Sequence, residues 1–254
     1  MKKYINMVLT AKELETKEVI IHPTVVVYDV LRATSTIITA LANGARAVIP
    51  ALGQKKALKL YQNFLDTGLP VVLGGERKGE QIDGFHLGNS PLEYTKKNIF
   101  DHIIIFTTTN GTRAMINSQK IGAEKIIIAS LLNQSSIVEF LKNEPQFTIV
   151  CAGVRSEFAF EDFYAAGLML YELTKKTNER NWILDDSALT ALSLAKHFNN
   201  NPLAIEKGSN GRRLRGINRG EDIEFCSAVN RFSVLPTYAK DRVLLSSTVQ
   251  FASN

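Results

Sequence analysis

The sequence predicts an α/β protein of three α/β/α layers, made of two duplicated, mainly parallel β-α-β-α-β halves, and three observations carry that expectation. Val25-Val26-Val27-Tyr28 is a continuous β-branched and aromatic run, which reads as a strand covered on both faces. From Thr36 the spacing turns helical, with Ile37, Ile38 and Leu41 on one face and Asn43-Gly44 as the stop. The same construction then returns without a gap. Gly122-Ala123 stands 78 residues after Gly44-Ala45, and at that offset Val25 to Tyr28 fall on Ile103 to Phe106, Thr34 on Thr112, Val48-Ile49 on Ile126-Ile127, Gly75 on Gly153 and Arg77 on Arg155.

Tyr4 to Thr10 and Val19 to Ile21 read as short strands around the charged turn Lys12 to Lys17. After the strand that ends at Asp29 and its helix come the strand Ala47 to Ile49 and the helix Ala57 to Leu65. Past Gly68-Leu69-Pro70, the strand Val71 to Leu73 runs into Gly74-Gly75-Glu76-Arg77-Lys78-Gly79. Gln81 to Pro91 is a turn-rich connection whose length and place beside Gly74 to Gly79 favour a binding role over a plain linker. The second copy opens with Ile103 to Phe106, passes through Thr107-Thr108-Thr109-Asn110-Gly111-Thr112 into a helix, and closes with Phe147 to Val150 and Cys151-Ala152-Gly153. Glu161 to Lys175 and Asp185 to His197 read as helices, where acids at the start suit the macrodipole and capping. Beyond Asn199-Asn200-Asn201-Pro202, Arg212, Arg213 and Arg215 crowd one helical turn and Arg219 follows. The expected division is residues 1–98 as the first α/β half with the N-terminal strands, 99–198 as the second half, and 199–254 as an arginine-rich segment packing on both.

Composition sets the outer bounds. A chain of 254 residues with 45% hydrophobic content has enough apolar side chain for a large core. The apolar runs are far short of a bilayer span and Tyr4 to Thr10 is too polar for a signal-peptide core, so a cytoplasmic protein is expected. Two cysteines exclude a disulfide framework, and the four histidines lack metal-binding spacing. A net charge of +5 fits nucleic acid or a small, highly anionic substrate; no aromatic-basic stacking pattern or finger supports the first.

Familiar phosphate motifs fail on inspection. Gly74 to Glu80 has the glycine spacing of a Walker A loop but carries Glu80 where lysine is required. Cys151 and Arg155 are separated by three residues, too few for a Cys-x5-Arg phosphatase loop, and no Gly-x-Ser-x-Gly elbow exists. What remains is a set of acids, arginines and hydroxyls at strand ends, where open α/β sheets bind ligands. Asp29, Glu76, Glu157 and Asp162 offer oxygen ligands for a hard cation, and Arg32, Arg77, Arg113, Arg212 and Arg213 offer charge for an anionic substrate. Thr108, Thr109, Asn110 and Gly111 form a phosphate cradle ahead of a helix; a strand end capped by Thr112 is the plain alternative. This is the make-up of metal-assisted phosphoryl transfer.

The stretches Asp29-Val-Leu-Arg-Ala-Thr34, Gly74-Gly-Glu-Arg77, Gly84-Phe-His-Leu-Gly-Asn-Ser-Pro-Leu-Glu93, Thr107 to Arg113, Cys151-Ala-Gly153, Glu161-Asp162, Asp185-Asp186 and Asn210-Gly-Arg-Arg-Leu214 resemble, in order, the 2-phosphosulfolactate phosphatase (ComB) family. The resemblance implies a ComB-like fold of two similar subdomains and a magnesium-dependent hydrolysis of 2-phosphosulfolactate to sulfolactate and phosphate, a step of coenzyme M biosynthesis. Asp29 and Glu76, each at a strand's carboxyl end in the first half, are expected to hold Mg2+, and Asp162 to orient water or act as general acid. Substrate contacts are expected from Arg32, Thr34, Arg77, Asn89, Ser90, Thr108, Thr109, Asn110, Gly111, Cys151, Gly153, Arg212 and Arg213. The expected partners are a small anionic phosphoester and a second copy of the chain in a homo-oligomer, a dimer, with no nucleic acid and no membrane. A phosphatase for another small anionic phosphoester, or a non-catalytic anion- or nucleic-acid-binding protein, is the alternative.

Overall fold

The computed structural model describes residues 2–16, 18–19 and 21–246. The first third of the chain runs β1 (Lys3–Val8), α1 (Glu13–Thr16), β2 (Thr24–Tyr28), α2 (Ala33–Ala42), β3 (Ala47–Pro50), α3 (Gln54–Leu65), β4 (Val71–Arg77) and β5 (Glu80–Gln81). The middle holds α4 (Lys96–Ile99), β6 (Ile103–Thr107), α5 (Gly111–Lys120), β7 (Lys125–Ala129), α6 (Gln134–Leu141) and β8 (Gln146–Cys151). Then follow α7 (Phe160–Thr177), β9 (Trp182–Leu184), α8 (Asp186–His197), α9 (Ser209–Gly216), α10 (Gly220–Cys226) and the hairpin β10 (Pro236–Ala239) and β11 (Arg242–Leu245). Val19 and Ile21 lie in no strand, and Ile20 is outside the described residues. The expected strand Val71 to Leu73 continues through Glu76 to Arg77, because Gly75 fits where a Cβ would lie 2.0 Å from Thr107 O on the neighbouring strand.

One sheet orders these strands β5-β4-β6-β3-β11-β10-β7-β2-β8-β1-β9. Side chains alternate between its faces and feed separate cores. Val25 and Val27 join α2 and α5 on one side, while Val26 and Tyr28 join α6 and α7 on the other. Ile126 and Ile128 divide from Ile127 and Ala129 in the same way, which gives the three α/β/α layers. Each fully buried aliphatic side chain contributes on the order of 1.5–3 kcal/mol, so the uninterrupted β-branched runs fix the strands more firmly than any turn does. No helix among the described residues is long and apolar enough to cross a membrane.

The two repeat copies are interleaved. β6, the first strand of the second copy, lies between β3 and β4 of the first; β2, the first strand of the first copy, lies between β7 and β8 of the second. Each three-strand group is internally parallel. The β10–β11 hairpin pairs antiparallel with both β7 and β3, so it joins two groups that run in opposite senses along the ladder. In a flat sheet their carboxyl ends would face opposite edges. A right-handed twist of about 20–25° per step, accumulated over the five steps from β6 to β2, turns the two directions to roughly a right angle and lets the carboxyl ends converge.

The convergence is direct. Ala33 and Gly111 are repeat-mates at the starts of α2 and α5, and a Cβ on Gly111 would lie 2.7 Å from the Ala33 Cβ and 2.8 Å from Asp29 Oδ2. Mates that touch each other mark the pseudo-twofold axis. Glycine at 111 is what allows the two helix starts to meet there.

Candidate active site

A single pocket of about 160 Å³ opens at this meeting point. The end of β2 supplies Asp29, Leu31 and Arg32, and β4 with its following turn supplies Glu76, Lys78 and Gly79. Thr108, Thr109 and Asn110 come from the end of β6, Val154 and Arg155 from beyond β8, Asn89 from the long connection, and Asn210 and Arg213 from α9.

Asp29 faces the pocket and starts α2. Its Oδ1 accepts from Ala33 N–H at 3.3 Å, its own N–H donates to Thr34 Oγ1 at 3.1 Å, and Thr34 N–H returns to Asp29 O at 2.9 Å. Thr34 is thus fully buried and sets the Asp29 backbone. Burial pushes the Asp29 carboxyl up to about 7, against the pull of the Ala33 N–H, with the charges of Glu76 and Glu161 adding to the rise. Glu76 is 7% exposed and gathers the neighbouring loops: Oε1 accepts from Thr109 N–H at 2.9 Å and Thr109 Oγ1 at 3.0 Å, and Oε2 from Gly79 N–H at 2.6 Å.

Two more acids stand behind these. Asp162 is buried at the start of α7, where Oδ1 accepts from Val30 N–H at 2.8 Å and Oδ2 from Gly153 N–H at 3.2 Å. It ties the end of β2 to the end of β8 and does not line the pocket. Burial, then the charges of Asp29 and Glu161, raise its carboxyl well above the usual range. Glu161 is raised too, chiefly by burial, and its Oε2 is buried with no hydrogen-bond partner among the described residues.

The cations are held in different ways. Arg32 is 4% exposed; Nη1 pairs with Asp222 Oδ2 and Nη2 donates to Gly79 O at 2.9 Å. Asp222, on α10, also accepts from Ser90 Oγ at 2.5 Å, so one buried acid links α10, the β2–α2 turn and the long connection. Arg213 donates to Asn210 Oδ1 from Nε at 3.3 Å and Nη2 at 2.9 Å, and to Lys78 O from Nη1 at 2.9 Å. Asn210 Nδ2 in turn donates to Leu31 O at 2.6 Å.

Of the residues singled out from sequence, Asp29, Arg32, Glu76, Asn89, Thr108, Thr109, Asn110 and Arg213 line the pocket, and Gly111 lies against Asp29. Thr34, Ser90, Cys151, Gly153 and Asp162 are buried supports around it, and burial raises the Cys151 thiol well above its usual range. Arg77 donates to Glu76 O at 2.6 Å and Thr107 Oγ1 at 2.9 Å, and faces an adjoining recess with Arg113 and Lys120. Arg212 is exposed and donates to Lys207 O. Lys78, Arg155, Asn210 and Asp222 were not singled out as substrate contacts; Arg155 carried a signal as the repeat-mate of Arg77, and Lys78 and Asn210 stood within stretches already marked, whereas Asp222 carried none.

The donor set suits a divalent cation of magnesium type. Among the described residues no group of three or more His, Cys, Asp or Glu gathers as metal ligands. Magnesium takes one or two carboxylates and completes its shell with water and substrate oxygens. Asp29 and Glu76 are the pocket carboxylates that could hold such an ion, and a positive charge beside Asp29 would offset the push that Glu76 and Glu161 exert on it.

Residues 8–241 match the family model described as 2-phosphosulpholactate phosphatase. A protein of Caldanaerobacter subterraneus subsp. tengcongensis named "Probable 2-phosphosulfolactate phosphatase" is 42% identical over 215 residues, 84% of this chain and 86% of that protein. One of the same name in Thermotoga petrophila is 42% identical over 215 residues, 84% of this chain and 88% of its own. A third, from Clostridium kluyveri, is 36% identical over 235 residues, 92% and 94% of the two chains.

Proposed function

This chain belongs to the 2-phosphosulpholactate phosphatase family, and from that premise we propose that it is a magnesium-dependent phosphoric monoester hydrolase that converts 2-phosphosulfolactate to sulfolactate and phosphate. The observation that carries the reading is the joint lining of one pocket by Asp29 and Glu76 with Arg32, Lys78, Arg155 and Arg213. Acids for a cation and cations for a multiply charged ester stand within reach of the same small volume.

In this reading the phosphoryl group sits against Thr108 and Asn110 before α5, where the Thr108 hydroxyl and the Asn110 amide can donate to its oxygens, while Thr109 is held back by Glu76 and shapes the turn. Asp29 and Glu76 hold Mg2+, which, when bound, polarises the phosphoryl oxygens and lowers the cost of bringing an oxygen nucleophile to phosphorus. Glu76 fixes Thr109 through both its N–H and its hydroxyl, so the cradle and the acid are positioned as one unit. Arg32, locked by Asp222 and Gly79 O, presents its remaining N–H groups without having to be ordered by substrate. Asp162 acts as a positioning residue that holds the turn after β2. A place in coenzyme M biosynthesis, a cytoplasmic location and a dimer belong to the same proposal.

The test is phosphate release from 2-phosphosulfolactate, 2-phospholactate and 3-phosphoglycerate, with Mg2+ and with EDTA. Metal-dependent release, fastest from the sulfonate, is expected. A folded, Mg2+-supplied protein that releases phosphate from none of them would overturn the reading.

A further inference from the structure

The two copies each place a cation on the tip of a two-residue turn at the pocket. β4 and β5 pair Arg77 with Glu80, which leaves Lys78-Gly79 as the turn; Val154 and Glu157 exchange hydrogen bonds of 2.9 and 2.8 Å, which leaves Arg155-Ser156. All four turn residues are left-handed, with φ of 55° and 87° in the first turn and 53° and 66° in the second. That is the pattern of a type I′ turn, whose twist suits a tight hairpin but which strongly favours Asn or Gly. Lysine and arginine occupy the first position of the two turns, at some conformational cost, and both line the pocket.

Neither side chain is engaged elsewhere. Among the described residues, the Lys78 ammonium and the Arg155 guanidinium have no hydrogen-bond or ion-pair partner, whereas Arg32 and Arg213 are tied to Asp222, Gly79 O, Asn210 and Lys78 O. The turns themselves are fixed: Arg32 and Arg213 hold the carbonyls of Gly79 and Lys78, and the Val154–Glu157 pair closes the other.

We propose that Lys78 and Arg155, one from each copy, form a clamp that determines specificity, binding the acid groups the substrate carries besides its phosphate. The inference rests on the hydrolase reading for the ester, and on the two unpaired cations for the clamp. Two cations on rigid turns, one from each copy, match an ester with two further acid groups better than one with a single group or none.

Lys78→Asn and Arg155→Asn test this, because asparagine accepts a left-handed φ and preserves the turns. kcat/KM is measured on 2-phosphosulfolactate, 2-phospholactate and ethyl phosphate, which carry two, one and no further acid groups. Each variant is expected to lower the ratio of the first to the last by about tenfold or more, mainly through KM, and the double variant by more than either. Proportional loss on all three esters, or no loss on any, overturns the clamp. Calorimetric binding of sulfolactate separates the two claims. Wild-type protein that binds sulfolactate at least about tenfold more tightly than the variants keeps the clamp even if no phosphate is released, while equal binding with intact hydrolysis rejects the clamp alone.

Discussion

Replacing Asp222 with alanine removes one of the most connected groups in the molecule without touching the pocket wall. Asp222 is 1% exposed and holds Arg32, itself 4% exposed, together with Ser90 Oγ. Truncating one partner of a buried ion pair leaves the other charge uncompensated and costs about 3–5 kcal/mol. A domain of this size loses about 2–4 °C per kcal/mol, so the melting temperature is expected to fall by roughly 6–20 °C. Asp222→Leu combined with Arg32→Met removes both charges and keeps the volume, and should recover most of that loss because the desolvation penalty of both buried charges goes with them. Activity should stay lost in the double variant, since Arg32 lines the pocket. Thermal melts and urea titrations of Asp222→Leu, Arg32→Met and the double variant give the coupling energy directly. A fall below about 1 kcal/mol for Asp222→Ala, or a double variant as unstable as the sum of the singles, would refute the argument that the pair is buried and dominant.

Asp29→Asn is expected to lower kcat by at least about a hundredfold while the protein stays folded, measured by phosphate release and circular dichroism. The metal-free protein should lose stability as pH rises from about 4 towards 7: the folded-state carboxyl of Asp29 lies near 7, above its unfolded value, so its contribution is complete below the unfolded value and is lost as pH rises through the folded one. Added Mg2+ should flatten that slope, and melts with EDTA or Mg2+ across the range check it. Asp162→Asn turns an amide N–H toward one of two backbone donors, Val30 or Gly153, and should cost about 1–3 kcal/mol in a urea titration. Gly111→Ala drives a methyl onto Ala33 and Asp29 and is expected to lower stability by about 1–3 kcal/mol and activity with it.

Much of this was legible in the sequence because it depends on local pattern. The run Val25 to Tyr28, the helical spacing after it and the gapless repeat mark the strands and helices, and strand ends followed by polar turns mark Asp29, Glu76 and Thr108 to Asn110. Strand order was not legible, since β2 reads alike whichever neighbours it pairs with. Arg212 and Arg213 could not be separated by composition, but neighbours on a helix diverge by about 100°, and only Arg213 turns inward. Glu161 and Asp162 satisfied a local rule for helix starts, which concealed Asp162's ties to Val30 and Gly153. Asp222 gave no signal, as its partner Arg32 is 190 positions away. Lys78 and Arg155 sit in turns that lack the asparagine-glycine signature of their shape.

The interleaving of the copies also orders events as the chain leaves the ribosome. β3 and β4 are made with a gap between them that β6 fills as soon as it emerges, so this group is complete once about residue 107 has been synthesised. β2 has a longer wait, because both its neighbours, β7 and β8, come after it, the second ending at Cys151. Until β7 is made, at about residue 129, its apolar run has no strand to pair with, and until β8 follows one of its edges stays open to chaperone capture or mispairing. A chain halted between the two copies would hold that strand with nowhere to place it.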